Sequence, residues 1–340
     1  MYENLASLNL QIESFELLPL SQRVPGFTRK TTVIKLNGNG FEGVGEDVTY
    51  DPKAQTAFQR DGQKLEMAGS YSLQNFGDKI ASMNLFRAEP TMPAFRQYRQ
   101  WAFESAALSL ALKQAGTNLP ELLGRKLKPL NFVVSKDLRQ AKDVTQLEKI
   151  KRAYPTLRFK VDVSNDWSSE IIERLIKLDA IDVLDFKAYY KGSRAERKIN
   201  PELYKKLAEV FPKAFIEDPA IDTKTRPILE KYKERITWDA PLHSLNDLLS
   251  MPFVPKVTNI KPSRFGSLKE LFNVYDYCLQ NGVGMYGGGQ FELGHGRHHI
   301  QYLASLFHSD SSNDVAPGGF NETVLKPGLP TPPLKIDTTF

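Results

Sequence analysis

The feature that most constrains the fold is a repeated unit that begins near Leu130, a short apolar segment followed by an amphipathic one. The apolar segments read LNFVVS, LRFKVDVS, IDVLDFKAYY, AFIEDP, RITWDAP, KVTNIKPS, GVGMYGGG and, weakly, NDVAPGG. Eight strand–helix units favour a closed parallel barrel, although this region is shorter than the usual ~250 residues. A doubly wound sheet is the alternative, but no glycine-rich phosphate-binding fingerprint follows an early strand.

The first third of the chain has a different pattern. LNLQIESFELLPL alternates apolar and polar residues at strand period, and TTVIKLNGNGFEGVGEDVTY predicts a hairpin that turns at Asn-Gly. Residues 93–116 predict a long helix that ends at a glycine. We therefore predict an α/β protein with an α+β domain over residues 1–125, a (β/α) barrel over residues 126–320 and a tail over residues 321–340 that packs on either one.

Composition excludes several classes of protein. With 340 residues, 41% of them hydrophobic, the chain can bury a large core. Its single cysteine excludes an intrachain disulfide, and no apolar run approaches the ~20 residues that cross a bilayer, so we expect a cytoplasmic protein with no membrane partner. The net charge of +5 is spread along the chain, which argues against nucleic-acid binding. A homo-oligomer is compatible with the sequence.

Acidic residues end three successive predicted strands: Asp185 in VLDFK, Glu217 in FIEDP and Asp239 in TWDAP. Lys261 follows the next strand in NIKPS. Side chains at the C-terminal ends of barrel strands converge on one mouth. Three carboxylates cannot all stay ionised there without compensation, and Mg²⁺ prefers oxygen ligands. The pattern favours a magnesium site; the alternative is that each acid pairs with a nearby lysine or caps the next helix.

These motifs resemble the enolase superfamily, specifically its muconate-lactonizing and o-succinylbenzoate-synthase branch. The resemblance implies an α+β capping domain before a modified TIM barrel. It also implies that Asp185, Glu217 and Asp239 hold Mg²⁺ on the third, fourth and fifth barrel strands. Lys160, on the second strand, and Lys261, on the sixth, are then the implied catalytic residues.

The glycine-rich segment YGGGQFELGHGRHHIQYLASL resembles the seventh-strand segment of synthase-like members, which implies that Gly288 and Glu292 bind substrate. The resemblance further implies that the loop over residues 21–28 closes over the mouth. HGRHH holds three of the five histidines, but a helical pattern continues from it, so we expect surface and first-turn roles there rather than a transition-metal site.

Two positions on the second and third barrel strands depart from the branch, besides Ala240, which stands where the branch usually has Glu after Asp239. The second strand reads Lys160-x-Asp162 where the family has Lys-x-Lys, and the third reads Asp185-x-Lys187 where the family has Asp-x-Asn. Asp162 and Lys187 are therefore further candidates for the catalytic site, Lys187 either as a replacement base or as a cation in the metal's place. In a rival register Asp162 would be the metal ligand of the third strand. We reject it because the 55 residues from Asp162 to Glu217 are enough for two strand–helix units.

The chemistry implied by the resemblance is removal of a proton α to a carboxylate, through an enediolate, in a magnesium-dependent lyase or isomerase. Dehydration like that of o-succinylbenzoate synthase, on a small-molecule carboxylate, is the leading expectation. A muconate-type cycloisomerase is the first alternative. The second alternative is a catalytically altered homologue that binds without turnover.

Overall fold

We describe the fold from a computed structural model that covers residues 1–24, 26–138, 141–190, 198–322 and 324–340. The N-terminal domain contains strands β1 (Asn9–Ile12), β2 (Ser14–Val24), β3 (Phe27–Gly38), β4 (Phe41–Asp47) and β5 (Gly69–Ser72), and helices α1 (Glu3–Ala6), α2 (Pro52–Asp61), α3 (Leu73–Ser82), α4 (Ala94–Ala115) and α5 (Leu119–Leu123). β2, β3 and β4 form an antiparallel sheet, and β1 pairs with β5.

The predicted hairpin turn and long helix are confirmed. Asn39 and Gly40 join β3 to β4 with φ angles of 53° and 76°, the positive values that a two-residue hairpin turn requires. α4 ends at Gly116, which has a φ of 62°. α4 packs directly on β4, because a Cβ atom at Gly45 would lie only 2.0 Å from the carbonyl oxygen of Ala102. The segment after α4 contains α5.

The second domain alternates strands and helices. Its strands are β6 (Val133–Asp137), β7 (Arg158–Asp162), β8 (Ile181–Asp185), β9 (Phe215–Glu217), β10 (Ile236–Thr237), β11 (Val257–Ile260) and β12 (Gly284–Gly287). Its helices are α6 (Ala141–Ala153), α7 (Ser169–Leu178), α8 (Pro201–Val210), α9 (Arg226–Leu229), α10 (Leu245–Leu249), α11 (Pro262–Phe265), α12 (Leu268–Asn281) and α13 (His295–Phe307). Short 3-10 turns cover Gly62–Lys64, Glu230–Arg235 and Gly318–Asn321.

These strands close into a ring. β6 to β10 form one parallel sheet in chain order, and β11 pairs with β12. The backbone N–H of Asn259 donates to the carbonyl of Trp238 at 3.1 Å, which joins the two sheets. Single parallel bridges, Gly288 with Asp314 and Phe132 with Asn313, supply the eighth position. The predicted fold class, a modified TIM barrel after an α+β domain, is confirmed.

Beyond Asn321 the described part of the C-terminal tail contains no helix, and the tail contacts both domains. Leu334 forms a bridge with Leu130, at the start of the barrel. Phe340 is buried, its ring stacks on His299 at 4.3 Å, and its carbonyl accepts a hydrogen bond from Ser109 on α4. Among the described helices, none combines the length and the apolar character needed to cross a bilayer.

Candidate metal and active site

Asp185, Glu217 and Asp239 meet at the carboxyl ends of adjacent strands. Asp185 ends β8, Glu217 ends β9, and Asp239 lies two residues beyond β10. All three side chains are buried, and one carboxylate oxygen from each lies within 4.8 Å of the others. Short strands that stop at an acid thus bring together a triad that could hold a metal ion. It is the group with metal-ligand geometry found among the described residues.

Asp218 fixes the backbone on which the triad is built. This residue has a φ of 48°, and its carboxylate accepts the N–H groups of Asp239 and Ala240, both at 2.8 Å. Burial and the neighbouring acids raise its pKa to about 7. No role was assigned to Asp218 from the sequence. The available signal was the second acid in FIEDP.

Lys160 and Lys261 approach the triad from opposite sides. Lys160, on β7, places Nζ 3.0 Å from Asp185 and in contact with Glu217, and 3.7 Å from Asp314 at the eighth barrel position. Lys261 directly follows β11, and its Nζ donates to Asp239 at 2.7 Å. Burial lowers the pKa of Lys160, but the surrounding carboxylates outweigh it and hold the pKa well above the ordinary value.

Lys187 and Asp162 lie on the Asp185 side of the triad. Nζ of Lys187 is 2.5 Å from Asp185 Oδ2 and 3.3 Å from Asp162 Oδ1. Burial raises the pKa of Asp162 to about 6, and Lys187 opposes that rise. The two residues that depart from the family pattern are therefore neighbours in space, and they form an ion pair with each other.

Two aromatic hydroxyls, both missed by the sequence analysis, bind the triad. Tyr286, on β12, donates to Glu217 from inside the barrel. Tyr190 donates to Asp239 at 2.9 Å and accepts from Arg264 at 3.1 Å. A tyrosine in an apolar strand or loop is indistinguishable from a core residue in the sequence, so no local signal marked either one.

The segment after β12 lies against Lys261. A Cβ atom at Gly288 would be 2.5 Å from Lys261 Cε, so only glycine allows this approach. Glu292 is buried, accepts the N–H of Gln290 at 2.6 Å and lies 3.3 Å from Arg297, so these contacts are with its own loop and with the first turn of α13. Substrate binding by Gly288 and Glu292 stays a prediction.

The N-terminal domain holds this same segment in place. Arg29 is buried and donates to the carbonyls of Gln290 and Phe291 at 2.9 and 3.1 Å. Glu46 accepts the N–H groups of Gly294 and Gly296, both at 2.9 Å, at the start of α13. Residues 21–28, predicted as a loop, are instead the paired ends of β2 and β3 and the turn between them, of which Pro25 lies outside the described residues. Closure of this hairpin over the mouth stays a prediction.

The histidines of HGRHH lie in the first turn of α13, as predicted, but their exposure differs. His295 is exposed, whereas His299 is buried against Phe340 and burial lowers its pKa to about 3. The expectation of a surface role is wrong for His299. Its apolar neighbour came from the far C-terminus, which the local pattern cannot reveal.

The charges of the site fit a divalent cation. Six carboxylates and four basic side chains gather at the mouth in the described part of the chain: Asp162, Asp185, Glu217, Asp218, Asp239 and Asp314, with Lys160, Lys187, Lys261 and Arg264. When all are ionised, two negative charges remain uncompensated. Oδ1 of Asp239 is buried and makes no hydrogen bond within the described residues, although Arg264 Nε lies 3.4 Å from it. An excess of two negative charges in the ionised state and a buried carboxylate oxygen without a hydrogen bond both suit Mg²⁺.

Two family models match the chain. They are described as the N-terminal domain of a domain of unknown function, DUF8230, over residues 3–122, and its C-terminal domain over residues 126–322. The chain belongs to the DUF8230 family. The boundary between the two family domains falls between α5 and β6, where the fold changes from α+β to barrel.

The chain is also similar in sequence to o-succinylbenzoate synthases. The o-succinylbenzoate synthase of Bacillus subtilis is 23% identical over 269 residues, which cover 70% of this chain and 63% of the relative. The match thus spans less than two thirds of that relative's length. This similarity confirms the predicted relationship to the o-succinylbenzoate-synthase branch of the enolase superfamily.

Solved structures show the same fold. A dipeptide epimerase from Methylococcus capsulatus, crystallised with a magnesium ion, superposes with a TM-score of 0.70 at 16% identity, covering 93% of this chain and 92% of that one. Muconate cycloisomerase from Pseudomonas fluorescens superposes with a TM-score of 0.64 at 18% identity, covering 90% of this chain and 87% of that one. An enolase-superfamily member from Listeria innocua gives 0.63 at 18% identity, covering 91% and 85%.

Proposed function

We propose that the protein is a magnesium-dependent lyase or isomerase that removes the proton α to a carboxylate, with dehydration like that of o-succinylbenzoate synthase as its reaction. The observation that carries the proposal is the buried triad of Asp185, Glu217 and Asp239, which has a lysine on each side. The sequence similarity to o-succinylbenzoate synthases, 23% identity for the Bacillus subtilis enzyme, supports this reaction among those of the branch.

Each residue has a defined task in this proposal. Asp185, Glu217 and Asp239 would hold Mg²⁺, which when bound lowers the pKa of a proton α to the substrate carboxylate. Lys261 is positioned by Asp239 and by Gly288, and is the candidate to take the α-proton. Lys160, fixed by Asp185 and other acids, supplies a second buried positive charge beside the substrate carboxylate.

One-base chemistry fits the arrangement better than two-base racemisation. Asp162 replaces the second lysine of the strand-two pair, so the base that strand two supplies in the family is absent. Lys160, Lys187 and Lys261 lie within ion-pair distance of the triad, and of these Lys261 is the candidate base. A syn elimination needs a single base, and so does a muconate-type cycloisomerisation, which the structural similarity to muconate cycloisomerase keeps as the second candidate.

Calorimetry of magnesium binding tests the metal site first. Wild type should bind Mg²⁺, and Glu217→Gln should lose that binding, because the substitution keeps the shape of the side chain and removes a ligand charge. Glu209→Gln makes the same chemical change on the exposed face of α8 and is the control. No binding by wild type at millimolar magnesium would refute the proposal.

Product formation then tests the reaction. The dehydration precursor of o-succinylbenzoate should be converted by wild type and not by Lys261→Ala or Glu217→Gln. Conversion of a muconate instead, with the precursor unchanged, would favour the cycloisomerase. If magnesium binds and neither substrate reacts, these two reactions are refuted and the homologue without turnover is favoured.

A further inference from the structure

Lys187 places one ammonium between two carboxylates on neighbouring strands. Its Nζ lies 2.5 Å from Asp185, a triad member, and 3.3 Å from Asp162, outside the triad. Lys187 has a φ of 54°, a left-handed conformation rare for a non-glycine residue. Its backbone N–H also donates to Asp185, at 3.1 Å. The strained turn thus directs both the backbone N–H and the ammonium toward a single carboxylate.

Asp162 can still accept this ammonium. Its Oδ1 is buried and makes no hydrogen bond within the described residues, even though Nζ of Lys187 is 3.3 Å away. A buried carboxylate oxygen without a donor is unfavourable. A small shift of Nζ away from Asp185 and toward Asp162 would give that oxygen a donor. Lys187 therefore has two carboxylates within ion-pair distance, and its ammonium hydrogen-bonds to Asp185 but not to Oδ1 of Asp162.

A divalent cation at the triad would interact with Asp185 as well. An ammonium 2.5 Å from that carboxylate repels such a cation strongly, since Asp185 is fully buried and the Lys187 side chain is only 13% exposed, so the charges are poorly screened. The same segment reaches the other end of the triad, where Tyr190 donates to Asp239. Binding of a cation thus has to compete with contacts made by the residues that follow β8.

We propose that Lys187 competes with the divalent cation for Asp185, and that Asp162 is the second acceptor to which the ammonium moves when the cation binds. This inference rests on the proposed function, because it requires a metal ion at the triad. It assigns a task to both residues that depart from the family pattern. Asp162 lowers the cost of displacing Lys187, so the pair sets the affinity for the metal.

Magnesium affinity across a double-mutant cycle tests the exchange. Calorimetry would compare wild type, Lys187→Met, Asp162→Asn and the double variant. Lys187→Met should bind Mg²⁺ roughly tenfold more tightly, and Asp162→Asn roughly tenfold more weakly, because the ammonium then stays on Asp185. In the Lys187→Met background the Asp162→Asn effect should vanish. Lys187→Gln removes the charge but keeps hydrogen-bond donors, and it replaces Lys187→Met if that variant misfolds. The same tenfold gain in magnesium affinity is expected for it.

Three results would overturn the exchange. The first is unchanged or weaker affinity in both Lys187 variants. The second is an equal loss from Asp162→Asn in both backgrounds, because Asp162 would then act only through its negative charge. The third, no magnesium binding in any variant, would also refute the proposed function, whereas the first two leave the metal site intact. Lys136→Met, whose lysine donates to the carbonyl of Phe320, should bind magnesium like wild type.

Discussion

Replacing Lys160 with methionine would measure how far the buried acids depend on their internal cations. The Lys160 side chain is 1% exposed and lies within ion-pair distance of Asp185, Glu217 and Asp314. Removing one partner of a buried ion pair costs about 3–5 kcal/mol, because the other charge stays buried without compensation. Burial raises the pKa of Glu217, so its protonation offsets part of that cost. We therefore expect a loss of about 3 kcal/mol in the free energy of unfolding, with little cavity term, since methionine fills a similar volume.

Urea unfolding followed by circular dichroism, with EDTA and with millimolar magnesium, measures this loss. Magnesium should bind Lys160→Met more tightly than wild type, because the variant has one fewer competing cation. If the variant binds magnesium tenfold more tightly, the difference in free energy of unfolding between wild type and Lys160→Met should shrink by about 1.4 kcal/mol when both are saturated with magnesium. Lys136→Met is the control, with an expected loss of about 1 kcal/mol for its hydrogen bond to a carbonyl. The reasoning is refuted if Lys160→Met costs no more than this control, or costs the same with and without magnesium.

Two further predictions concern Glu104 on α4 and Gly288 beside Lys261. Burial raises the pKa of Glu104 from 4.5 to about 7, so the folded state binds this proton more tightly than the unfolded state, and stability rises as pH falls through this window. Between neutral pH and pH 4.5, the free energy of unfolding of wild type should rise by on the order of 3 kcal/mol relative to that of Glu104→Gln. Urea titrations at both pH values measure this difference. A difference between the two proteins that does not change with pH would contradict the prediction. Gly288→Ala would press a methyl group on Lys261 Cε and should lower turnover of any accepted substrate about tenfold. Full turnover, with the distance between Lys261 and Asp239 unchanged in a crystal structure of the variant, would show that the close approach is irrelevant.

Much of the site was predictable because barrel topology converts strand order into proximity. Asp185, Glu217 and Asp239 each follow a short apolar run, and parallel neighbouring strands end at the same rim. Their order along the chain therefore indicated that they would meet. Lys160 and Lys261 were predicted from the resemblance, and the structure places both within ion-pair distance of the triad.

Other parts of the site depended on contacts that no local pattern encodes. Tyr286 and Tyr190 bond to the triad only because β12 and the residues after β8 face its acids across the closed barrel. Asp218 and Lys187 adopt positive φ angles that only the surrounding structure can impose on non-glycine residues. The ion pair between Lys187 and Asp162 follows from that turn.

The sequence by itself determined the order of strands and helices, the barrel and the acids at its rim, because these follow from periodicities of two and 3.6 residues and from strand ends. Only the tertiary structure decided which charges neutralise one another there. Lys160 lies within ion-pair distance of acids on two strands and of Asp314 at the eighth barrel position. Nζ of Lys187 is less than 1 Å nearer to Asp185 than to Asp162. Differences of that size depend on the packing of the whole mouth, since electrostatic energies in a buried site change steeply with distance.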